Sequence, residues 1–157
     1  MKQIELNNNP LWQEENLIIG DENLLEWDVV IDACKDNDVR LPLPNEYVDL
    51  AALGSTWDKE KKGRWFGTDH YLKDNSKGSI FLPADGFRDA DGTLYYAGEF
   101  GYYWSASPYD RLNAYSLIFS RTHVSPHIKQ NEYTLRKQKF SVRTVIQKQR
   151  HEQNNLF

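Results

Sequence analysis

Hydrophobic and polar positions follow two textures along the chain. From Leu24 to Asp36 the apolar residues Leu24, Trp27, Val30, Ile31 and Cys34 recur at helical spacing, with Glu26, Asp28, Asp32 and Lys35 opposite. This predicts an amphipathic helix that stops at Asn37-Asp38. Pro42 and Pro44 then forbid helix continuation and force an extended segment. Asn45 is the predicted N-cap of a second helix, Glu46 to Leu53, closed by Gly54. Ahead of both, Leu17-Ile18-Ile19 reads as a short strand before the Gly20-Asp21 turn.

Beyond Gly54 the apolar runs shorten, and Gly, Asp and Asn punctuate them. Trp65-Phe66-Gly67, Ser79 to Leu82, Leu94-Tyr95-Tyr96, Tyr102 to Ser105, Ala114 to Phe119 and Phe140 to Ile146 read as brief strands, with Asp89 to Gly92 as a turn. In 114–119, Tyr115, Leu117 and Phe119 alternate with Ser116 and Ile118, the period-two pattern of a half-exposed strand. The predicted class is α+β: two helices packed on a small, irregular, loop-rich antiparallel sheet.

Length bounds this to one domain, because 157 residues suit one core and not two. That domain is expected over 24–146. Residues 1–23 form an N-terminal extension, a strand or a docking segment, and 147–157 a polar tail. With 39% hydrophobic and 27% charged residues the chain is neither disordered nor a membrane protein. No apolar run approaches the roughly 20 residues that span a bilayer. Met1 to Pro10 is polar and lacks an apolar h-region, so no signal peptide is expected. That leaves open a phage virion, the bacterial cytoplasm, or a surface protein trimmed of its leader.

Charge is distributed unevenly. Residues 1–60 hold 14 acids and 4 bases, whereas 121–150 hold 8 bases and 1 acid. Either the two regions lie side by side and neutralise each other, or the basic region faces an anionic partner. Nucleic acid is disfavoured as that partner, since no helix-turn-helix, zinc-finger or RNP pattern accompanies the charge.

The order of motifs adds a family resemblance. A Trp27–Cys34 helix leads to Arg40-Leu41-Pro42, then to Phe81-Leu82-Pro83-Ala84-Asp85-Gly86-Phe87-Arg88-Asp89. Gly98-Glu99-Phe100-Gly101-Tyr102-Tyr103-Trp104-Ser105-Ala106-Ser107, Asn113 to Phe119 and Phe140-Ser141-Val142-Arg143 follow. This run, over about residues 24–146, resembles the Fibrobacter succinogenes major paralogous domain family, and is similar also to the variable proteins of diversity-generating retroelements. The resemblance implies a C-type lectin-like fold and a receptor- or surface-recognition role. The chain departs from the family at Lys139, where Gly usually precedes the Phe140–Arg143 run.

The landmarks also have expected physical roles. Arg40 is expected inside the fold, its guanidinium tied to carbonyls or to a carboxylate such as Glu46. Trp104 is expected in the core with its indole N–H bonded. Gly86, Gly92, Gly98 and Gly101 are expected at positive φ or at close backbone approaches. Arg143 is expected to partner the acidic helices.

Candidate chemistry is sparse. A lone cysteine, Cys34, excludes an internal disulfide, a CxxC pair and a Cys-based zinc site. On an apolar helix face it reads as filler. Enzymes of the formylglycine-generating type share the implied fold, but they use cysteines nearer the C-terminus. Asp85, Asp89 and Asp91 beside Gly92 lack the spacing of an EF-hand loop. His123 and His127 are four apart with Pro126 between them, and no third ligand is evident. No nucleotide-binding or hydrolase motif occurs. No catalytic residue, metal or cofactor is therefore expected.

Recognition remains. Tyr109, Arg111, Ser116, Ile118, Arg121, His123, His127, Lys129, Tyr133, Arg136 and Gln138 are the residues expected to point outward as a ligand-binding face within 107–139. Tyr115, Leu117, Phe119, Phe140 and Val142 are expected inside. The expected function is a non-enzymatic binding domain for a protein or glycan ligand, with an anionic one favoured by the charge. The alternatives are an assembly subunit of a phage tail, pilus or surface complex, whose partner can be a second copy, and an enzyme of the formylglycine-generating type.

Overall fold

A computed structural model describes residues 3–6, 10–35, 37–74, 78–128 and 135–146, apart from the side chains of residues 127 and 128. In chain order, β1 (Gln3–Glu5) and β2 (Leu11–Gln13) form a hairpin. Then β3 (Leu25–Glu26) runs into α1 (Trp27–Cys34), and β4 (Val39–Arg40) precedes α2 (Pro44–Ala52). A meander follows of β5 (Ser55–Asp58), β6 (Gly63–Phe66) and β7 (Ile80–Pro83), with a 3-10 turn at His70–Leu72. Next come β8 (Phe87–Arg88) and β9 (Leu94–Tyr95), then the long pair β10 (Phe100–Pro108) and β11 (Ala114–Ser120). The remaining strands are β12 (Val124–Ile128), β13 (Lys139–Phe140) and β14 (Val145–Ile146).

These strands make four small sheets, ordered β1-β2-β14-β4, β10-β11-β12, β3-β13-β8-β9 and β5-β6-β7, all paired antiparallel. The expected C-type lectin-like arrangement, two helices on one small sheet, is therefore overturned: the described chain is mostly β, and its strands are split among four sheets. The physical reason is the punctuation. Each short apolar run ends at a turn residue before it is long enough to extend a shared sheet, and it pairs with whatever strand lies beside it.

Several boundaries move for the same kind of reason. The first helix starts only at Trp27, because Leu25 and Glu26 pair with Phe140 and Lys139. The second starts at Pro44 with Leu43 as its cap residue, not Asn45. Proline suits the first helical position, where no intrahelical N–H partner is required. Glu46 reaches back and accepts the Leu43 amide at 2.7 Å. Leu17 to Ile19 is no strand; Ile19 makes one isolated bridge to Glu22. The expected final strand, Phe140 to Ile146, is two strands in different sheets, β13 and β14, joined by four buried residues.

The sheet β10-β11-β12 divides two apolar cores. Tyr103, Leu117 and Phe119 face the first, with Trp12, Tyr47, Leu50 and Phe66. Tyr102, Trp104 and Ala114 face the second, with Trp27, Val30, Leu41 and Phe140. Trp104 stacks on Phe140 at 4.0 Å, and its indole N–H donates to the Leu25 carbonyl at 2.8 Å. Arg40 forms a two-bond pair with Glu46 at 2.7 and 2.9 Å. Gly101 has no positive φ, but a Cβ there would lie 2.2 Å from the Phe119 ring. It is glycine because the two strands press an aromatic ring against its backbone.

Two expectations about polar residues are corrected by this two-sided packing. The middle strand β11 is covered on both faces, so it is not half-exposed: Ser116 is buried and Ile118 packs into the second core. Arg143 does not partner the acidic helices. It is buried, and donates to Asn16 Oδ1 at 2.8 Å, Gln13 O at 3.2 Å and Phe81 O at 2.7 Å. Its position between β13 and β14 points it at the N-terminal hairpin and β7.

Candidate functional site

Three turns meet at one side of the molecule. The first joins β5 to β6. The Asp58 carboxylate shapes it, accepting the amides of Glu60 at 3.1 Å and Lys61 at 3.0 Å on one oxygen and the Trp65 indole at 3.0 Å on the other. The Trp65 bond, followed by the Lys61 amide, holds the Asp58 carboxyl below the usual carboxylate value. The Lys62 amide closes the turn on the Asp58 carbonyl at 2.8 Å, with Lys62 itself at φ +54°. The turn thus displays Lys59, Lys61 and Lys62 beside Trp57, which rests one side on the first core.

The second turn, Ser120 to His123, joins β11 to β12. Arg64 pins it: Nη1 donates to the carbonyls of Ser120 at 3.0 Å and Arg121 at 3.2 Å, while Nε donates to Ser55 Oγ at 2.8 Å. Burial lowers the Arg64 pKa from its ordinary value without removing its charge. Pinned by its backbone, Arg121 keeps its side chain exposed. The third turn, Tyr96 to Phe100, brings Gly98 against Lys62. A Cβ on Gly98, at φ +82°, would sit 3.2 Å from Lys62 Cδ. Its absence makes room for the lysine stem.

Between the turns lies a cleft of about 520 Å³ lined by Trp57, Lys59, Lys62, Phe100, Arg121 and Thr122, among others. A second hollow of about 540 Å³ shares Trp57, Lys59 and Arg121 with it and adds Lys61 and Lys73. Five cations therefore line the two hollows that meet at one half-buried tryptophan. The ammonium of one, Lys61, lies 5.1 Å from the Trp65 ring centroid and 5.9 Å from that of Phe81. The three ion pairs among the described residues, Lys35–Asp32, Arg40–Glu46 and Arg136–Asp28, involve none of them. Three acids line the hollows as well, Glu99 in the first and Asp58 and Glu60 in the second.

The residues expected to form the binding face are dispersed. Arg121 lies in the cleft, and His123 is exposed in the same turn, with Nδ1 2.8 Å from Thr122 Oγ1. Tyr109 and Arg111 are exposed at the opposite end of β11, and Tyr109 meets Tyr115 edge-on at 5.9 Å. Ser116 and Gln138 are buried, so neither contributes to an outer face. Ile118 is half-buried in the second core. Arg136 is half-buried as well: its guanidinium lies 4.1 Å from the Trp27 ring centroid, and it donates to the Arg111 carbonyl at 2.9 Å. The His127 side chain, Lys129 and Tyr133 lie outside the described residues.

The cleft's remaining residues were missed by sequence reasoning, although a signal existed. Lys59, Lys61 and Lys62 form a charge run directly after Trp57, between two short apolar runs. Such a run is a hairpin turn carrying its charges to the surface. Elsewhere, Cys34 is half-buried and burial pushes its thiol pKa up, which disfavours the thiolate. Among the described residues, no three His, Cys, Asp or Glu side chains are placed to share a metal ion. No helix among them is long and apolar enough to cross a membrane.

The chain belongs to the family described as a domain of unknown function, DUF8237, whose profile matches residues 57–145, more than half its length. The match begins at Trp57, so it includes all five cations of the cleft. No curated protein and no solved structure matches the chain.

Proposed function

We propose that this chain is a non-enzymatic ligand-binding domain whose recognition face is the cleft between Trp57 and Arg121. One observation carries the reading: five cations, none of them in an ion pair among the described residues, line two hollows that meet at one aromatic side chain. Like charges gathered this way repel one another, and an anionic partner relieves that cost. Tryptophan and arginine are also the side chains that most often anchor interfaces. The sequence resemblance to the Fibrobacter paralogous family and to retroelement variable proteins points to the same kind of role, recognition of a receptor or surface. The test is a binding screen of the whole chain against bacterial surfaces, glycans and proteins, with Arg121→Ala as the control. Binding that the control loses while its melting temperature holds supports the reading. Binding unchanged in the control sinks the site.

A second reading has its own observation. Asp21, Glu22, Asp28, Asp32 and Asp49 are exposed on the acidic N-terminal region. The basic cleft of one copy is complementary in charge to that region of another, which suits an assembly subunit. Sedimentation of the chain at low and high salt separates the two, because screening dissolves contacts between exposed charges. Association that vanishes at high salt favours assembly, and a monomer throughout favours an external ligand.

A further inference from the structure

We propose that the ligand of the Trp57 cleft is an acidic carbohydrate, with a sugar ring laid against Trp57 and its anionic groups held by Lys62 and Arg121 on one side and Lys59 and Lys73 on the other. This rests on the reading of the cleft as the binding face and narrows it to one chemistry. The two hollows share Trp57, Lys59 and Arg121, so they are the two halves of one trough. Each is within the range of small-ligand sites, about 300–1,000 Å³. A ligand of two or more rings can therefore cross Trp57 and place one charge in each half.

The lining separates carbohydrate from the other polyanions. Of the three acids of the lining, Asp58 already accepts from the Glu60 and Lys61 amides and the Trp65 indole, while Glu60 and Glu99 stand among the lysines. Beside the phosphates of a nucleic acid, or the carboxylates of an acidic peptide, these two groups repel. Beside a sugar they accept hydrogen bonds from hydroxyls, which neither the backbone of DNA nor a glutamate side chain supplies. Thr122, which is exposed, adds a hydroxyl to the lining of the first hollow. The site thus offers cations, acceptors and a flat apolar face together, and an acidic sugar presents the matching anions, hydroxyl donors and apolar ring face. Gly98 fits this use, because the missing Cβ leaves room for the Lys62 stem to lie along the trough.

The test is calorimetric titration of the whole chain with a galacturonic-acid oligomer, the methyl ester of the same oligomer, an oligoglutamate and a single-stranded DNA of equal charge. The uronate is expected to bind and the ester to lose at least tenfold, since esterification removes the charge and keeps the ring. Arg121→Gln and Lys62→Gln are each expected to weaken uronate binding about tenfold, the weight of a charge-assisted hydrogen bond. Lys35→Gln, at the C-terminal cap of α1 and absent from the lining of both hollows, is expected to leave it unchanged. Trp57→Ala is expected to weaken it similarly, and circular dichroism shows whether that variant folds; the two Gln variants stand independently of it. Equal binding of the ester overturns the role given to charge. Binding of the oligoglutamate or the DNA, lost in Arg121→Gln, without binding of the uronate overturns the carbohydrate and leaves the cleft as the site. Uronate binding that no cleft variant weakens overturns both.

Discussion

The two ends of β11 use the same device and arrive at different outcomes. At each end an arginine bonds two successive carbonyls of the adjoining turn: Arg136 those of Asp110 and Arg111, Arg64 those of Ser120 and Arg121. The ends are roughly 20 Å apart along a seven-residue strand. At the first end Arg136 also lies over Trp27 and stands 3.8 Å from Asp28, so its charge is used up within the fold. At the second, Arg64 is held beneath the turn, and the exposed charge belongs to Arg121 and the lysines around Trp57. The contrast teaches that a basic residue near a turn is no guide to recognition by itself. What matters is whether an aromatic and a carboxylate of the same chain already occupy it.

The comparison can be broken from either side. The largest effect is expected at the closed end. Trp27→Ala removes a buried indole, its hydrogen bond to the Ser105 carbonyl at 2.8 Å and the platform under Arg136. It should cost about 3–5 kcal/mol in urea unfolding. Arg136→Ala should cost about 1–3 kcal/mol by the same measurement and leave binding at the cleft unchanged. Weakened binding in that variant would show that the two ends are coupled.

At the open end, Arg64→Ala should cost about 1–2 kcal/mol and also weaken ligand binding, because the turn carrying Arg121 loses its anchor. Loss of stability without loss of binding would show that the turn holds itself, through the Ser120 hydroxyl that accepts the amides of Thr122 and His123. Arg121→Ala is the mirror case: stability within about 0.5 kcal/mol of the parent, as at other exposed sites, with binding reduced.

The smallest effect is a pH dependence. The folded Asp58 carboxyl titrates below its ordinary value, chiefly through the Trp65 indole and the Lys61 amide. Its stabilisation is therefore fully present above the unfolded value, about pH 4, and is lost as pH falls through the lowered folded value. Asp58→Asn should lower the melting temperature at neutral pH, and its difference from the parent should shrink below about pH 4. A difference that stays constant in acid would detach Asp58's charge from the shape of the lysine turn.

Legibility in the sequence followed the range of the interaction. The Trp27–Cys34 helix was readable from its spacing, as was the placing of Leu117, Phe119, Phe140 and Val142 inside. The Arg40–Glu46 pair was readable too, because six residues and two prolines hold the partners close. Arg121 was correctly placed outside because it follows the last residue of a strand. Ser116, Gln138 and Ile118 were misplaced because alternation says which residues share a face, not whether that face is covered. The candidate site was half legible. One of the cleft's cations, Arg121, was named, and Lys59, Lys61, Lys62 and Lys73 were not.

By itself the sequence determined where chain segments turn, which short runs extend, and which residues keep company within a few positions, because backbone stereochemistry and side-chain period act locally. The tertiary structure alone decided that the strands divide among four sheets, and that β11 has an apolar core on each side. It alone turned Arg143 to the N-terminal hairpin, and brought Lys62, Lys73 and Arg121 together around Trp57. Those outcomes depend on contacts between residues tens of positions apart, where the free energy of packing one surface on another outweighs any local preference.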